Sequence, residues 1–166
     1  MALAFSFPNP VNEVAARTVA VGVVAMAVAA IGFGASWLTI PLAYGFIARV
    51  AYGPRFSPLG RIASSIVAPR LGRSARLVPG PPKRFAQAIG AAFTTAALIC
   101  WLVGASTATV ALLAILLLPA TAEAALGYCV GCEIFRLLMT HGVIPSSVCE
   151  ECASFGDRWA SHPVAH

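Results

Sequence analysis

Charge is what this chain lacks. Charged residues fill 10% of its 166 positions, against about 25% in ordinary soluble domains. Acids are scarcest: there are six in all, and none lies between Arg17 and Glu123. Hydrophobic residues make up 59%, and the mean hydropathy is +0.84. A chain so composed cannot cover a globule with polar groups, so an ordinary soluble fold is excluded and lipid is the expected solvent. The formal charge of +5 does not point to nucleic acid. Eight of the eleven basic residues (Arg49, Arg55, Arg61, Arg70, Arg73, Arg76, Lys83 and Arg84) lie in one central stretch. Its apolar flanks leave no soluble groove for a nucleic acid, whereas anionic lipid headgroups are a natural partner.

What is present is hydrophobic length. Four apolar runs, about residues 14–33, 35–51, 85–104 and 107–126, approach the ~20 residues that a ~30 Å hydrocarbon core demands. Asn12 is a helix cap with Glu13 in the first turn. Gly32 and Gly34 separate the first two runs, and Gly104-Ala105-Ser106 turns between the last two. Pro41 and Pro119 are expected to kink their helices. Between the second and third runs, Ser57-Pro58 signals a helix start. Leu59, Ile62, Ile66 and Val67 give that helix an apolar face to lay on the membrane. Pro79-Gly80-Pro81-Pro82 ends it and stiffens the entry to the third run. Ala25-Met26-Ala27 resembles a signal-peptide cleavage site. Only Arg17 precedes it among basic residues and three more apolar runs follow, so a retained span is expected.

The expected fold is therefore all-α: a four-helix transmembrane bundle with a basic interfacial helix between spans 2 and 3 and a short Cys-rich cytoplasmic C-terminal segment. One domain covers 1–152, and 153–166 is a flexible tail. The two tight turns are uncharged and the central loop is basic, which puts the loop and both termini in the cytoplasm.

Four of five cysteines follow the last apolar run, as Cys129-Val-Gly-Cys132 and Cys149-Glu-Glu-Cys152. Two-residue spacing lets both sulfurs of a pair close on one metal ion or one small disulfide ring. Helical character is expected to run on from the fourth span through Cys129 to Thr140, so neither pair has the helix N-terminal placement that activates a thiol. Three readings compete. All four sulfurs bind one zinc ion and staple the tail. Or the pairs cycle between dithiol and disulfide, or carry sulfane sulfur. Or the thiols merely fill space, as Cys100 is expected to do. For exchange chemistry, Arg136 lies four residues after Cys132 and favours its thiolate, while Glu133 opposes that of Cys129. Cys132 is then the attacking sulfur and Cys129 the resolving one. Glu150 and Glu151 raise the pKa values of the Cys149 and Cys152 pair, which would relay or resolve. Glu123, the only acid within the apolar runs, is expected to pair with Arg17 or Arg49, or to accept a proton beside the thiols. His141 is expected to cap a helix C-terminus.

The string Gly127-Tyr128-Cys129-Val130-Gly131-Cys132-Glu133 resembles the bacterial membrane family called domain of unknown function 4395. So do Asn9-Pro10-Val11-Asn12, Arg55-Phe56-Ser57-Pro58-Leu59-Gly60 and Gly80-Pro81-Pro82-Lys83-Arg84-Phe85-Ala86-Gln87. The resemblance covers about residues 9–152. It implies a small four-span protein of the bacterial inner membrane, associated with thioredoxin-like or rhodanese-like domains. The second pair is a weaker mark of the family. The expectation is thus thiol redox or sulfur transfer with a separate soluble partner. The alternatives are a zinc-stapled scaffold and a small transporter for a sulfur species.

Overall fold

Helix formation begins at the first polar cap. Asn12 Oδ1 accepts hydrogen bonds from the Val14 and Ala15 N–H groups at 2.9 and 3.3 Å, opening α1 (Glu13–Gly32). A computed structural model describes residues 9–71, 77–145 and 148–149. Cys152, residues 1–8 and the tail 153–166 lie outside the described residues. After α1 come α2 (Thr39–Tyr52), α3 (Pro58–Ile62), α4 (Ala68–Leu71), α5 (Gly80–Leu102), α6 (Ser106–Leu126) and α7 (Val130–Thr140). The chain is mostly helical, as its composition requires. Two short strands, β1 (Val11–Asn12) and β2 (Leu77–Val78), add a clasp: they pair antiparallel with Val11 opposite Val78. The Gly80 N–H extends the clasp to Asn9 Oδ1 at 2.8 Å.

α5 packs against both α2 and α6, and α6 packs against α1. Val19, Val23, Leu42, Phe46, Leu113 and Leu116 anchor the core between them. At Gly90 of α5 an added Cβ would sit 2.2 Å from the Phe46 ring, so only glycine lets α2 and α5 approach this closely. Buried Thr94 donates to the Gly90 carbonyl of its own helix at 2.7 Å, and buried Thr109 to the carbonyl of Ala105, the N-cap of α6, at 3.2 Å. Apolar side chains also face outward: Leu118 is 74% exposed, and Ile40, Ile47, Ile99 and Ile115 are about half exposed. Lipid is the solvent that suits them. α1, α5 and α6 are long and apolar enough to cross a membrane.

Several elements differ from expectation. The second apolar run yields a 14-residue α2 preceded by a 3-10 turn over Ser36–Leu38, not one membrane-length helix. Pro41 falls in the first turn of α2, where its missing N–H costs no intrahelical bond. The third helix starts at Gly80, with Pro81 and Pro82 inside it. Proline is at home in a first turn because its φ is preset and no donor is needed there.

The central helix does start at Ser57, whose Oγ accepts from the Gly60 N–H at 3.4 Å. It packs on α1, however, and does so through small residues. Gly60, Ala63 and Ala68 are buried, while Ile62 and Ile66 are exposed on the outer side, the side expected to lie on the membrane. Leu59 reaches Gly22 halfway along α1. A π-helical turn over Ala63–Val67 joins α3 to α4. It directly precedes Pro69, which cannot donate to the carbonyl four residues back.

Candidate functional site

The charged residues of the bundle collect at one end, where α1 and α5 start and α2 and α6 finish. Arg17 Nη2 donates to the Ala125 carbonyl at 2.8 Å, closing the C-terminus of α6. Arg84 Nε donates to the Val50 carbonyl of α2 at 3.0 Å. Arg49 Nε donates to Gln87 Oε1 at 2.7 Å and Arg49 Nη1 to Ser57 Oγ at 2.8 Å. Lys83 Nζ donates to Glu123 Oε1 in a largely buried ion pair. The expected partner of Glu123 was Arg17 or Arg49. Arg17 instead caps α6, and Arg49 turns toward Ser57 and Gln87. Lys83 stands in the first turn of α5 and Glu123 in the last turn of α6. Each is at the unfavourable end of its helix for the macrodipole, so the two charges are there for each other, not as caps.

Helix α6 does not continue through Cys129. Gly127 takes φ +69°, its N–H returns to the Glu123 carbonyl at 3.0 Å, and that of Tyr128 returns to Ala122 at 3.3 Å. This is a left-handed glycine cap. Glu13 Oε1 would lie 2.7 Å from an added Cβ at Gly127, a contact the flexible carboxylate can yield, so it is the left-handed backbone that requires glycine. The chain then reverses into α7, with Cys129 as its N-cap residue and the Cys129 carbonyl accepting from the Cys132 N–H at 3.0 Å. The first cysteine pair therefore has the helix N-terminal placement that the sequence argued against. At Gly131 an added Cβ would meet Ala86 Cβ at 2.5 Å and Ala86 Cα at 2.7 Å. Phe135 is buried and tilts against Phe85 with ring centroids 5.6 Å apart. These two contacts seat α7 on α5 and bring the pair beside Lys83.

Cys129 and Cys132 are free, half-buried thiols. The Cys132 S–H donates to the Cys129 sulfur, which lowers the Cys129 pKa from its ordinary value; burial opposes this and the Lys83 ammonium assists it. The Cys132 pKa is pushed up, because its proton is held in that hydrogen bond and because it is buried beside a second sulfur. The electrostatics thus favour Cys129 as the thiolate, where sequence spacing had favoured Cys132. Arg136 does not support either sulfur. It pairs with Glu133 at 2.6 Å on an exposed face, and that pairing also turns the Glu133 charge away from its supposed opposition to Cys129.

Cys129 lines a cavity of about 500 Å³ together with Lys83, Glu123, Gln87, Phe46 and Phe93. Its walls are otherwise apolar side chains of α1, α5, α6 and α7. A thiolate there has a neighbouring ammonium, a nearby carboxylate and a largely apolar space in front of it.

Cys149 is buried and disulfide-bonded. It offers no thiolate in this state, and Cys152 lies outside the described residues. For a zinc ion the described thiol donors are Cys129 and Cys132. Among the described residues no three His, Cys, Asp or Glu side chains converge. His141 is the C-cap residue of α7, and Cys100 is a free thiol near the far end of α5.

The spacing argument missed Lys83 and Gln87. A signal for both existed: they are the only lysine and the only glutamine of the chain. They stand four residues apart on one helical face, and after Arg84 no further charge occurs until Glu123.

Among the described residues, three membrane-length apolar helices mark a helical membrane protein, with two free thiols beside a cavity at its charged end. The chain belongs to a family defined by a domain of unknown function, DUF4395, whose model matches residues 11–140. No curated protein and no solved structure matches it.

Proposed function

We propose that this protein is a membrane-embedded thiol exchanger in which Cys129 attacks and Cys132 resolves. The observation that carries this reading is the Cys129 sulfur at the N-terminus of α7, hydrogen-bonded by Cys132 and facing Lys83. Helix N-termini and nearby cations favour thiolate. Exchange proceeds by attack of the Cys129 thiolate on one sulfur of a partner disulfide. This forms a mixed disulfide and releases the partner's other sulfur as a thiolate. Cys132 gives up its proton and displaces the partner from Cys129. The partner leaves as a dithiol and a Cys129–Cys132 disulfide remains. If the partner carries a persulfide, attack on its terminal sulfur moves sulfane sulfur to Cys129 and frees the partner's thiolate. A thioredoxin-like or rhodanese-like soluble protein fits either step.

The same reading takes the 3-10 turn and α2 together as a fourth crossing. Residues 36–52 rise roughly 27 Å on ideal 3-10 and α-helical geometry, close to the hydrocarbon thickness. It also sets the charged end, both termini and the thiols on the cytoplasmic face of a bacterial inner membrane. The supporting pattern is basic residues at one end and uncharged turns at the other.

The test is mixed-disulfide trapping with a thioredoxin-like protein. Cys132→Ser should accumulate the adduct through Cys129, and Cys129→Ser should not. Equal trapping by both variants would sink the assignment. One zinc per purified chain, released together with Cys129 and Cys132 reactivity, would favour a metal-stapled scaffold instead.

A further inference from the structure

We infer that the cavity between α1, α2, the central helix and α5 binds an oxyanion on Arg49. Arg49 is 4% exposed. Its partners are two neutral acceptors, Gln87 Oε1 and Ser57 Oγ, and the face of Phe46, 4.5 Å from the guanidinium carbon. Among the described residues no carboxylate pairs with it. Lys83, nearby, is already neutralised by Glu123. The remaining charge is a whole positive one, inside protein, with nothing of opposite sign against it. Buried ions are normally paired, since desolvation is costly and neutral acceptors recover only part of it.

The geometry indicates where the missing charge belongs. Arg49 lines a cavity of about 430 Å³ with Gln87, Ser64, Pro54, Gly60 and Ala68. Arg49 Nε and Nη1 are engaged; Nη2 makes no hydrogen bond among the described residues, and it is not sealed from space, since no fully buried side-chain nitrogen there lacks a partner. An open guanidinium edge in a small cavity suits an acceptor with several oxygens in one fork-shaped contact. Phosphate, sulfate and thiosulfate share this chemistry, and so does the headgroup of an anionic phospholipid. The volume is ample for either, and the apolar remainder of the wall accommodates the start of an acyl chain. Lys83 and Gln87 line this cavity and the thiol cavity alike, so an oxyanion here would sit next to the dithiol. The inference stands without the thiol reading, because it rests on Arg49 alone.

The test is thermal unfolding of the purified full chain in zwitterionic detergent. Sodium thiosulfate, sodium phosphate and short-chain phosphatidylglycerol are titrated separately, each against sodium chloride at matched ionic strength. Binding to the native state raises the midpoint in proportion to the logarithm of ligand concentration. A saturable rise is expected with at least one of the three. A rise with the free salts identifies a soluble oxyanion; a rise with phosphatidylglycerol alone identifies a lipid headgroup. Arg49→Lys should weaken the effect at least tenfold, and the surface variant Arg61→Gln should preserve it. Should Arg49→Lys fail to fold, Ser64→Asp decides. A carboxylate placed in the cavity should raise the ligand-free midpoint and abolish the response. No saturable rise above chloride, or a rise unchanged in Ser64→Asp, would overturn the inference.

Discussion

At the scale of the residue, Cys129 owes its thiolate character first to Cys132, one turn on in α7, and then to Lys83, which the fold brings beside it. Its pKa lies below the ordinary thiol value of about 8.5, and that of Cys132 lies above it. A lowered thiol pKa means the anion survives to lower pH. Alkylation of Cys129 should therefore persist to lower pH than that of an ordinary thiol and fall as pH drops below its own pKa. Cys132 should react only in alkali, and mass spectrometry of partially alkylated protein reads both. Faster labelling of Cys132 at pH 7 would contradict the order.

The Lys83–Glu123 pair offers a second prediction. Lys83→Met leaves a largely buried carboxylate alone and should destabilise by about 3–5 kcal/mol. The double variant Lys83→Met with Glu123→Gln should lose much less. Denaturant titration in detergent distinguishes them, and equal losses would show that the stranded carboxylate carries no penalty. This pair was not legible in the sequence. Its members are 40 positions apart, and helical spacing tells only what meets within a helix. Arg136 shows the same limit from the other side: it did lie near Cys132 in sequence, but Glu133, one turn away, holds it on the exposed face.

At the scale of the element, hydropathy located α1, α5 and α6 to within a few residues, because a run of apolar side chains in lipid leaves the backbone no choice but to bond within the helix. The stops were harder to read. Gly127 sits in small, apolar surroundings where glycine is common in membrane helices. What makes it a cap is its left-handed backbone, with the Gly127 and Tyr128 N–H groups returning to Glu123 and Ala122. The break matters because it creates the helix start on which Cys129 sits. Gly127→Ala should cost at least about 1 kcal/mol from the left-handed backbone alone. Gly131→Ala acts differently. Its methyl would press on the Ala86 backbone, lifting α7 from α5, with an overpacking loss of about 1–3 kcal/mol. It should slow alkylation of Cys129 at pH 7 severalfold, whereas a substitution at Gly142, past the end of α7, should not. An unchanged rate in Gly131→Ala would mean that the seating of α7 does not set the thiolate.

At the scale of the whole molecule, the two ends of the bundle differ in kind. One carries Arg17, Arg49, Lys83, Arg84 and Glu123; the other turns through residues 33–38 and 103–105 without a charge. That asymmetry was fully readable in the sequence and underlies the proposed sidedness. An impermeant maleimide added to intact cells should leave Cys129 unlabelled and should label it in inverted vesicles. Labelling from outside would reverse the orientation and remove any internal thiol partner. The packing of the central helix was not readable. Leu59, expected on the membrane, and the small face of Gly60 and Ala63 turn inward to α1, while Ile62 and Ile66 keep the outer side expected for them. Small residues give a weak hydropathy signal, yet they allow the closest approach between helices.

Because the one lysine of the chain lies buried at the boundary between two cavities, primary-amine chemistry becomes a site-specific reporter. Among the side chains of residues 1–166, only Lys83 can form a stable amide with an amine-selective reagent. Its protection in the folded state, and its exposure when the Glu123 contact opens, can be followed in the unaltered protein with no engineered probe.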